Sequence, residues 1–272
     1  MAFLVLGIWL WRGNTALTVT RYELDVLPGE GGVTIAQVSD LHNAQFGPEN
    51  QELLAVLEEV QPDLIAVTGD LIDSRFTNLS VACEFMEDAV EIAPVYYVTG
   101  NHEARVTEEY QTLKAAMEEA GVTVLEDEAV SIPGQPLELI GLDDGSFPRV
   151  PDDGLYDGAA WNLQLALDQF VPKAGEGGED VCRVLLAHRP EYLSLYAQYD
   201  VDLVLAGHAH GGQIRVPGLG GLYAPGQGVL PEYEDGLHQM GETQMIVSRG
   251  LGNSLFPLRV NNPPELVVVK LI

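Results

Sequence analysis

Short apolar runs in this 272-residue chain alternate with longer segments in which apolar residues recur every three or four positions. The short runs predict strands, and the helical recurrence predicts amphipathic helices. The predicted strands are residues 15–26, 33–38, 64–67, 95–98, 122–125, 128–132, 137–141, 181–187, 203–206, 244–248 and 266–272. The predicted helices are residues 48–60, 80–92, 108–120, 161–170 and 191–199, and the remainder, including the loop that holds His238, is predicted to be irregular. This alternation indicates an α/β protein whose sheets are covered by helices.

The charge balance narrows the range of functions. Forty-one acidic and 13 basic residues give a formal net charge of -28, while a hydrophobic content of 46% is that of a globular protein. Such an acidic surface disfavours a nucleic-acid scaffold and attraction to anionic lipid head groups. If the protein handles phosphate groups, bound cations must offset its repulsive field. The two cysteines, Cys83 and Cys182, lack metal-ligand spacing and predict free, buried thiols.

The N-terminal segment, residues 1–13, differs in composition from the rest of the chain. Residues 2–11 form an apolar run that is shorter than the roughly 20 residues of a bilayer span. It is the end of a membrane anchor, an interfacial segment with Trp9 and Trp11 at the head groups, or a buried strand. We expect membrane association, on a side that the sequence does not specify, with a cytoplasmic location as the alternative. Residues 14–272 show no repeat or linker and predict one domain.

Polar residues that can bind metal ions follow five of the predicted strands. The motifs are Asp40-Leu41-His42, Gly69-Asp70-Leu71-Ile72-Asp73, Gly100-Asn101-His102-Glu103, His188, and Gly207-His208-Ala209-His210. Each motif alone is common, and a lone histidine at a strand end is usually a satisfied polar group. The ordered set is far less common by chance. Since ligand sites in open α/β sheets lie beyond the carboxyl ends of strands, we expect these motifs to form one site.

The residue types in these motifs point to metal chemistry. Imidazole nitrogens and carboxylate oxygens suit Mn, Zn or Fe. In the D-x-H and H-x-H triplets, alternate side chains share a face if the backbone is extended, so two ligands could then converge on metal ions. Asp70 is the best candidate for a carboxylate that bridges two ions. Two metal ions can stabilise the attacking and leaving oxygens of an in-line displacement at phosphorus, and can supply hydroxide from bound water. The motifs therefore predict a metal-dependent hydrolase of phosphate esters.

The order of the five motifs resembles that of the calcineurin-like metallophosphoesterase family. Residues 207–213 (GHAHGGQ) and 248–265 (SRGLGNSLFPLRVNNPPE) resemble the bacterial YkuE/YaeI-type phosphodiesterase branch of that family. The similarity extends from about residue 15 to the C-terminus. It implies a four-layer α/β/β/α sandwich with a dinuclear metal site at the strand ends.

The resemblance also implies roles for individual residues. The metal ligands would be Asp40, His42 and His210 for one ion and Asn101, His188 and His208 for the other, with Asp70 bridging them. His102 would be the catalytic residue that acts as the acid or the electrostatic partner of the leaving group. Asp73 and Glu103 would position the ligands without binding the metal ions themselves.

Arginines are frequent just after the motifs. Arg75, Arg105, Arg189 and Arg215 each lie within five residues of a motif end, and they are four of the ten arginines in the chain. We predict that Arg189 and Arg215 bind substrate, because planar guanidinium groups can contact two phosphate oxygens at once. The alternative is that they form ordinary salt bridges with acidic neighbours. Ser74 displaces the arginine that often follows this motif in the family, so Arg75 has no assigned role.

The predicted reaction is hydrolysis of a phosphodiester, a phosphomonoester or a pyrophosphate. The branch resemblance and the apolar N-terminus suggest a lipid-linked or envelope phosphate, so the expected partners are a phosphorylated small molecule or lipid and, through the N-terminus, the membrane surface. A catalytically silent scaffold or binding protein of the same fold is the alternative, but every expected ligand type is present. A metal-dependent hydrolase of amides has no dedicated support in the sequence.

Overall fold

Two six-stranded sheets form the centre of the protein. The computed structural model describes residues 7, 13–147, 157–178, 180–253 and 256–272. The strands are β1 (Thr18–Leu24), β2 (Val33–Val38), β3 (Leu64–Thr68), β4 (Val95–Val98), β5 (Thr123–Val124), β6 (Glu128–Ser131), β7 (Leu137–Gly141), β8 (Cys182–Leu186), β9 (Leu203–Ala206), β10 (Arg215–Val216), β11 (Gly220–Gly221), β12 (Tyr223–Ala224), β13 (Gly228–Val229), β14 (Gly236–Met240), β15 (Thr243–Val247) and β16 (Glu265–Leu271). The helices are α1 (Gln51–Val60), α2 (Leu79–Ala89), α3 (Asn101–Arg105), α4 (Thr107–Ala120), α5 (Gly158–Phe170) and α6 (Leu193–Tyr196).

The strand order brings the carboxyl ends of the motif-bearing strands to one end of the molecule. The first sheet has the order β1-β16-β2-β3-β4-β5, and the second has the order β14-β15-β9-β8-β7-β6. Strands β2 to β5 are mutually parallel, as are β7, β8, β9 and β15. Strand β16 runs antiparallel to β2, and β14 and β6 are antiparallel edges of the second sheet. Parallel strands with helical crossovers explain why both faces of each sheet are covered.

Three groups of buried apolar side chains separate four layers. One group packs α1, α2 and α4 against the first sheet and includes Leu57 and Phe85. A second lies between the two sheets, where Ile35 from β2 and Val184 from β8 are fully buried. The third packs α5 and α6 against the second sheet and includes Leu167. Both sheets are therefore buried on two faces, and the predicted α/β/β/α sandwich is confirmed.

The predicted elements differ from the observed ones chiefly between residues 211 and 240. Short hairpins β10–β11 and β12–β13 lie where a loop was expected, since glycine and proline obscure any strand pattern there. Strand β14 was also missed, because its side chains are half-buried or exposed and form no apolar run. His238 therefore lies in β14, and its Nε2 is 2.9 Å from the carbonyl oxygen of Asp235. Residues 148–156, which were predicted to be irregular, lie outside the described residues.

The N-terminal run, residues 2–11, also lies outside the described residues apart from Gly7, so its three alternatives stay open. Within the described ranges, none of the helices combines the length and the apolar content of a membrane span. The division at residue 14 likewise stays a prediction. Cys83 and Cys182 are free thiols, as predicted. Only Cys182 is buried, because Cys83 lies on the partly exposed side of α2 near Glu84 and Glu87.

Candidate metal centre

The strand ends of both sheets meet at the candidate site. In the first sheet, the backbone N–H of Asp40 donates to the carbonyl oxygen of Gly69 over 3.0 Å and joins the first two motifs. Between the sheets, the buried side chain of Gln37 donates from Nε2 to the carbonyl oxygen of Ala206 over 2.9 Å. All seven predicted metal ligands are buried. The site therefore depends on the two sheets being stacked in this register.

Asp40, His42 and His210 form one group of candidate ligands. Asp40 Oδ1 lies 3.3 Å from His210 Nε2 and 3.9 Å from His42 Nε2, and these two nitrogens are 3.2 Å apart. Asp40 Oδ2 accepts a hydrogen bond of 2.6 Å from the Ser39 hydroxyl, and the His208 N–H donates to the same carboxylate over 3.1 Å. The Ser39 hydroxyl and the His208 N–H thus orient the Asp40 carboxylate.

Asp70, His188 and His208 form a second group. His188 Nε2 lies 3.2 Å from Asp70 Oδ2 and 3.1 Å from His208 Nδ1. One end of the Asn101 side-chain amide lies 2.8 Å from His208 Nδ1, and the other lies 3.1 Å from the Arg105 guanidinium. With its oxygen towards His208, the amide is in position to be a metal ligand. The structure therefore brings together the residues that were predicted for the second ion.

The Asp70 carboxylate lies between the two groups. Its Oδ2 is 3.5 Å from His42 Nε2 and 3.2 Å from His188 Nε2. Its Oδ1 accepts a hydrogen bond of 2.7 Å from the backbone N–H of His102. One oxygen is thus fixed by the backbone while the other faces both imidazole groups, which is the placement that a bridging ligand requires.

The backbone at the ligands is not extended, so the condition under which alternate side chains of a triplet would share a face is not met. Five of the candidate ligands have left-handed φ values, namely Asp40 (52°), His42 (46°), Asp70 (51°), His208 (65°) and His210 (49°). Few non-glycine residues adopt this conformation, and those that do concentrate at functional sites. Here each strand turns sharply as it ends, and the turn directs the side chains of a triplet towards the site. The His42 N–H holds one such turn by donating to the Asp70 carbonyl oxygen over 3.0 Å.

Glu103 anchors the turn that carries Asp70. It is fully buried, and its Oε2 accepts hydrogen bonds from the N–H groups of Asp70 (3.0 Å) and Gly100 (2.8 Å), while Oε1 accepts one from Ile72 (3.2 Å). Burial raises the pKa of Glu103 to about 7. Gly69 has a φ of 88°, and a Cβ there would lie only 2.6 Å from the Gly100 nitrogen. A glycine at this position is therefore needed for the two loops to approach each other.

The protonation states leave most of the imidazoles free to bind a cation. Burial lowers the pKa of His42 to about 4 and lowers the pKa values of His208 and His210 well below the ordinary value. Burial opposes the charge on Asp70, but His188 brings the pKa of Asp70 well below its usual range. Burial also opposes the charge on His188, but Asp70 raises the pKa of His188 to about 10. In the metal-free chain, a proton on His188 thus balances Asp70, and a metal ion would displace it.

The contacts among the histidines fit metal ions. The Nε2 atoms of His42 and His210 face each other at 3.2 Å, and His188 Nε2 faces His208 Nδ1 at 3.1 Å. His188 Nδ1 is 2.8 Å from the carbonyl oxygen of Thr68, to which it donates, so its Nε2 points into the site. Converging lone pairs repel one another unless a proton or a cation lies among them. Imidazole, carboxylate and amide donors in this arrangement suit first-row divalent metals.

His102 lies beside the ligands but differs from them in its hydrogen bonds. The Ser74 N–H donates to His102 Nδ1 over 3.0 Å, which places the proton of the neutral ring on Nε2. That Nε2 is 3.9 Å from Asp70 Oδ2, close enough for His102 to belong to a third cluster with His42. A protonated Nε2 has no lone pair for a metal, so His102 is better suited to donate a hydrogen bond. Asp73 Oδ1 lies 3.5 Å from its Nδ1 and is also bound by Arg75.

With this geometry established, the chain can be compared with known proteins. Residues 33–212 match the family model for calcineurin-like phosphoesterases, and this range contains all five motifs. The chain belongs to the calcineurin-like phosphoesterase family. It is a metallophosphoesterase, as predicted, and its buried histidine and aspartate side chains form groups that could hold metal ions.

Individual relatives of this family cover most of the chain. The phosphodiesterase YaeI of Escherichia coli (strain K12) is 32% identical over 241 residues, which are 86% of this chain and 80% of that protein. The uncharacterized metallophosphoesterase YkoQ of Bacillus subtilis (strain 168) is 29% identical over 278 residues, covering 98% and 96%. The crystal structure of TT1561 of Thermus thermophilus is similar in fold, with a TM-score of 0.51 at 15% identity over 81% of this chain and 91% of that one.

The two arginines predicted to bind substrate are engaged with carboxylates. Arg189 Nε lies 2.7 Å from Oδ2 of the buried Asp144. Arg215 is 3.2 Å from Glu234 Oε1 and 2.9 Å from Asp235 Oδ2. These contacts agree with the alternative prediction, in which both arginines form ordinary salt bridges with acidic neighbours. A phosphate role for Arg189 or Arg215 would require the phosphate to compete with these carboxylates, and that role stays a prediction.

Glu191 is a site residue that the sequence reasoning missed. Its Oε1 lies 3.9 Å from His208 Nε2 and 3.4 Å from Arg189 NH1. His208 Nε2 and Glu191 Oε2 are buried without a hydrogen-bond partner in the described part of the chain. The outer nitrogen of a ligand histidine commonly donates to a carboxylate, which orients the ring. The sequence contained one indication of this role, because the acidic Glu191 follows the predicted ligand His188 by only three residues.

The C-terminal segment also reaches the site. The buried guanidinium of Arg259 donates to the carbonyl oxygens of Arg249 (NH1, 2.9 Å) and Gly252 (Nε, 3.2 Å), and its NH2 is 3.5 Å from His210 Nδ1. Asn262 donates from Nδ2 to the carbonyl oxygen of His210 over 2.7 Å. Residues 248–265 had been associated with a branch of the family, and these contacts give the segment a physical role in holding His210.

Replacing Asp70 with Asn should strongly reduce the bound metal, because a neutral amide cannot neutralise two cations that share one oxygen. Metal content per chain after gel filtration, measured by atomic emission, tests this expectation. Asp73→Asn is the matched control in the same turn and should retain the metal content of the unchanged protein. Equal metal content in Asp70→Asn and the unchanged protein would exclude the bridging position.

Replacing Glu191 with Ala should weaken metal binding by about 10–100-fold, the usual effect of losing a group that orients a ligand histidine. Glu191→Gln keeps a hydrogen-bond acceptor and should lose less. Competition with a chelator measures both affinities. Asp168→Ala, which removes an exposed acid of α5, is the control for the loss of one negative charge. If Glu191→Ala binds metal as Asp168→Ala does, then Glu191 does not orient His208.

Proposed function

We propose that this metallophosphoesterase hydrolyses phosphodiesters. The observation that carries the proposal is the position of Asp70 Oδ2 between two ligand groups, with the protonated Nε2 of His102 beside it. Two divalent cations held there would neutralise phosphate charge and activate water for attack at phosphorus. The chain's own contribution is to hold the cations through buried ligands and to supply a hydrogen-bond donor at the leaving group, for which we propose His102.

The charges around the site support a diester in preference to a monoester. A phosphomonoester carries about 1.5 to 2 negative charges near neutral pH, whereas a diester carries one. Arg75, Arg189 and Arg215 each pair with a carboxylate, Arg105 lies 3.1 Å from the Asn101 amide, and the whole chain has a formal charge of -28. Additional charge on the substrate would therefore be poorly compensated. The name of the relative YaeI, a phosphodiesterase, is consistent with this preference.

The proposed substrate is attached to a lipid or belongs to the cell envelope. The apolar run at residues 2–11 supports this proposal, since it would keep the protein at a membrane surface, where such substrates occur. Membrane association through the N-terminus is part of the same proposal. A catalytically silent scaffold is disfavoured, because a binding protein has no need for a complete buried set of metal ligands.

Turnover measurements test the proposed reaction directly. The purified protein, supplied with Mn or Zn, should hydrolyse bis-p-nitrophenyl phosphate with a higher kcat/KM than p-nitrophenyl phosphate, because the diester carries less charge. Nucleotide-sugar and lipid pyrophosphates complete the screen. Asp70→Asn is the control for contaminating activity. A higher kcat/KM for the monoester, or no metal-dependent turnover of any phosphate ester, would contradict the proposal.

Replacing His102 with Ala should reduce turnover by about 10²–10⁴-fold, the usual contribution of a general acid. The reduction should be smaller for p-nitrophenyl esters than for phenyl esters, since a good leaving group needs less protonation. Metal content should not change, which separates this role from that of a ligand. His238→Ala, on the edge strand β14, is the histidine control. Equal losses for both leaving groups would exclude proton donation by His102.

A further inference from the structure

Seven large apolar side chains are exposed on segments that adjoin the metal centre; Val216 is 38% exposed, and the other six are more than 40% exposed. Those six are Leu219, Tyr223, Val229, Leu230, Phe256 and Leu258, with exposed fractions from 41% for Leu258 to 76% for Val229. Tyr223 and Val229 are register partners in the hairpin β12–β13, so their side chains project from the same side of it. We call these six side chains the apolar face.

Hydrogen bonds tie the segments of the apolar face together and to the site. Gln213, three residues after His210, donates from Nε2 to the carbonyl oxygens of Phe256 (2.9 Å) and Leu258 (3.2 Å). The Leu222 N–H, between the two hairpins, donates to the carbonyl oxygen of Ile214 over 2.9 Å. The hairpins and residues 256–258 are therefore connected segments that lie next to a metal ligand.

The same segments are nearly free of charge in an otherwise charged protein. Charged residues make up 20% of the chain, but residues 211–231 contain only Arg215, which pairs with Glu234 and Asp235. Residues 250–264 contain only the buried Arg259. Arg215 offsets one of the two carboxylates that contact it, so these segments carry little charge and can approach a low-dielectric medium at a modest desolvation cost.

The exposed large apolar side chains named here lie at the end of the molecule that carries the metal centre. The apolar face lies beyond the carboxyl end of β9, and Phe76, 82% exposed, lies on the other flank of the metal centre, where its carbonyl oxygen accepts a hydrogen bond from Asn43. Val19 and Leu237 lie at the starts of β1 and β14. Both strands begin at the end of the sheets that carries the metal centre. Among the described residues, none of the turns at the opposite end has an exposed large apolar side chain.

The N-terminal run enters the molecule next to this surface. Asn14 donates from Nδ2 to the carbonyl oxygen of Arg259 over 3.1 Å and accepts from its N–H over 2.7 Å. The apolar residues 2–11 precede Asn14 by only a few positions, and Leu258 adjoins Arg259. The apolar run is thus joined in sequence to a residue that contacts one segment of the apolar face.

We propose that the apolar face inserts into the interfacial layer of a lipid bilayer, so that the metal centre faces the membrane and receives the phosphodiester of a lipid headgroup. The substrate part of this statement rests on the proposed function; the docking part does not. A bilayer fits better than a protein partner because the uncharged segments contact Asn14, which the apolar run precedes in sequence by only a few residues. With a net charge of -28, docking must be driven by apolar contact, so zwitterionic lipid is the expected surface.

Co-sedimentation of the full chain with phosphatidylcholine vesicles tests the docking. Leu219→Asp/Val229→Asp should reduce vesicle binding by about tenfold, because charges would enter the interfacial layer. Ser131→Asp/Gln135→Asp adds the same charge at exposed positions at the opposite end of the sandwich and should bind as the unchanged protein does. All these proteins keep the N-terminal run, so a difference reports on the apolar face alone. Phe256→Asp is an independent test on the second segment.

Turnover of bis-p-nitrophenyl phosphate by each variant separates docking from chemistry. Both apolar-face variants should retain it, since neither touches a metal ligand, and loss of vesicle binding with retained turnover supports the proposal. Vesicle binding should also persist as salt is raised, because ionic attraction does not drive it. Equal vesicle binding by all variants would overturn the docking proposal. A difference in sedimentation coefficient between the apolar-face variants and the unchanged protein, measured without lipid, would also overturn it, because it would assign the surface to a second copy of the chain. Absence of turnover in the unchanged protein would contradict the proposed function without affecting the vesicle result.

Discussion

The pairing of the buried Asp70 carboxylate with the imidazoles on either side of it is the interaction on which the site depends. A carboxylate with 2% exposure is costly to leave without compensation, and here its Oδ2 faces His42 and His188 while its Oδ1 accepts the His102 N–H. The metal-free chain compensates this charge with a proton on His188. Divalent cations would compensate it more completely, because they serve both imidazole groups at once. Metal binding and the folding of this end of the molecule are therefore coupled.

Both sheets must be in place before this compensation can occur. Asp70 follows a strand of the first sheet, whereas His188 and His208 follow strands of the second. Gln37 connects the sheets beneath the site through its hydrogen bond to Ala206. The apolar layer between the sheets fixes their separation, and the polar contacts at the strand ends fix their register. A displacement of one sheet along the other would separate ligands that are now about 3 Å apart, the usual distance of a hydrogen bond.

Much of this could be predicted from the sequence, and the part that could not has identifiable causes. Apolar strands such as residues 95–98 and 203–206 were located to the residue because both faces are buried and the apolar run is continuous. The left-handed turns at the ligands were not predicted, because no local signal distinguishes Asp40 in such a turn from an aspartate that ends an ordinary strand. Arg189 shows a second limit: its partner Asp144 is 45 residues away, and only the fold brings them together. Strand β14 was missed because an edge strand needs no apolar pattern.

The left-handed conformation of five ligands has a consequence for the life of the protein in a cell. Each such residue costs on the order of 1–3 kcal/mol, which the surrounding structure must offset. Bound cations supply part of that offset, since they stabilise only the folded chain. Chains synthesised while metal is scarce would populate opened states more often, and proteases act on opened states. The abundance of this protein would then follow the supply of its metal, because bound metal would help to offset the cost of the ligand turns.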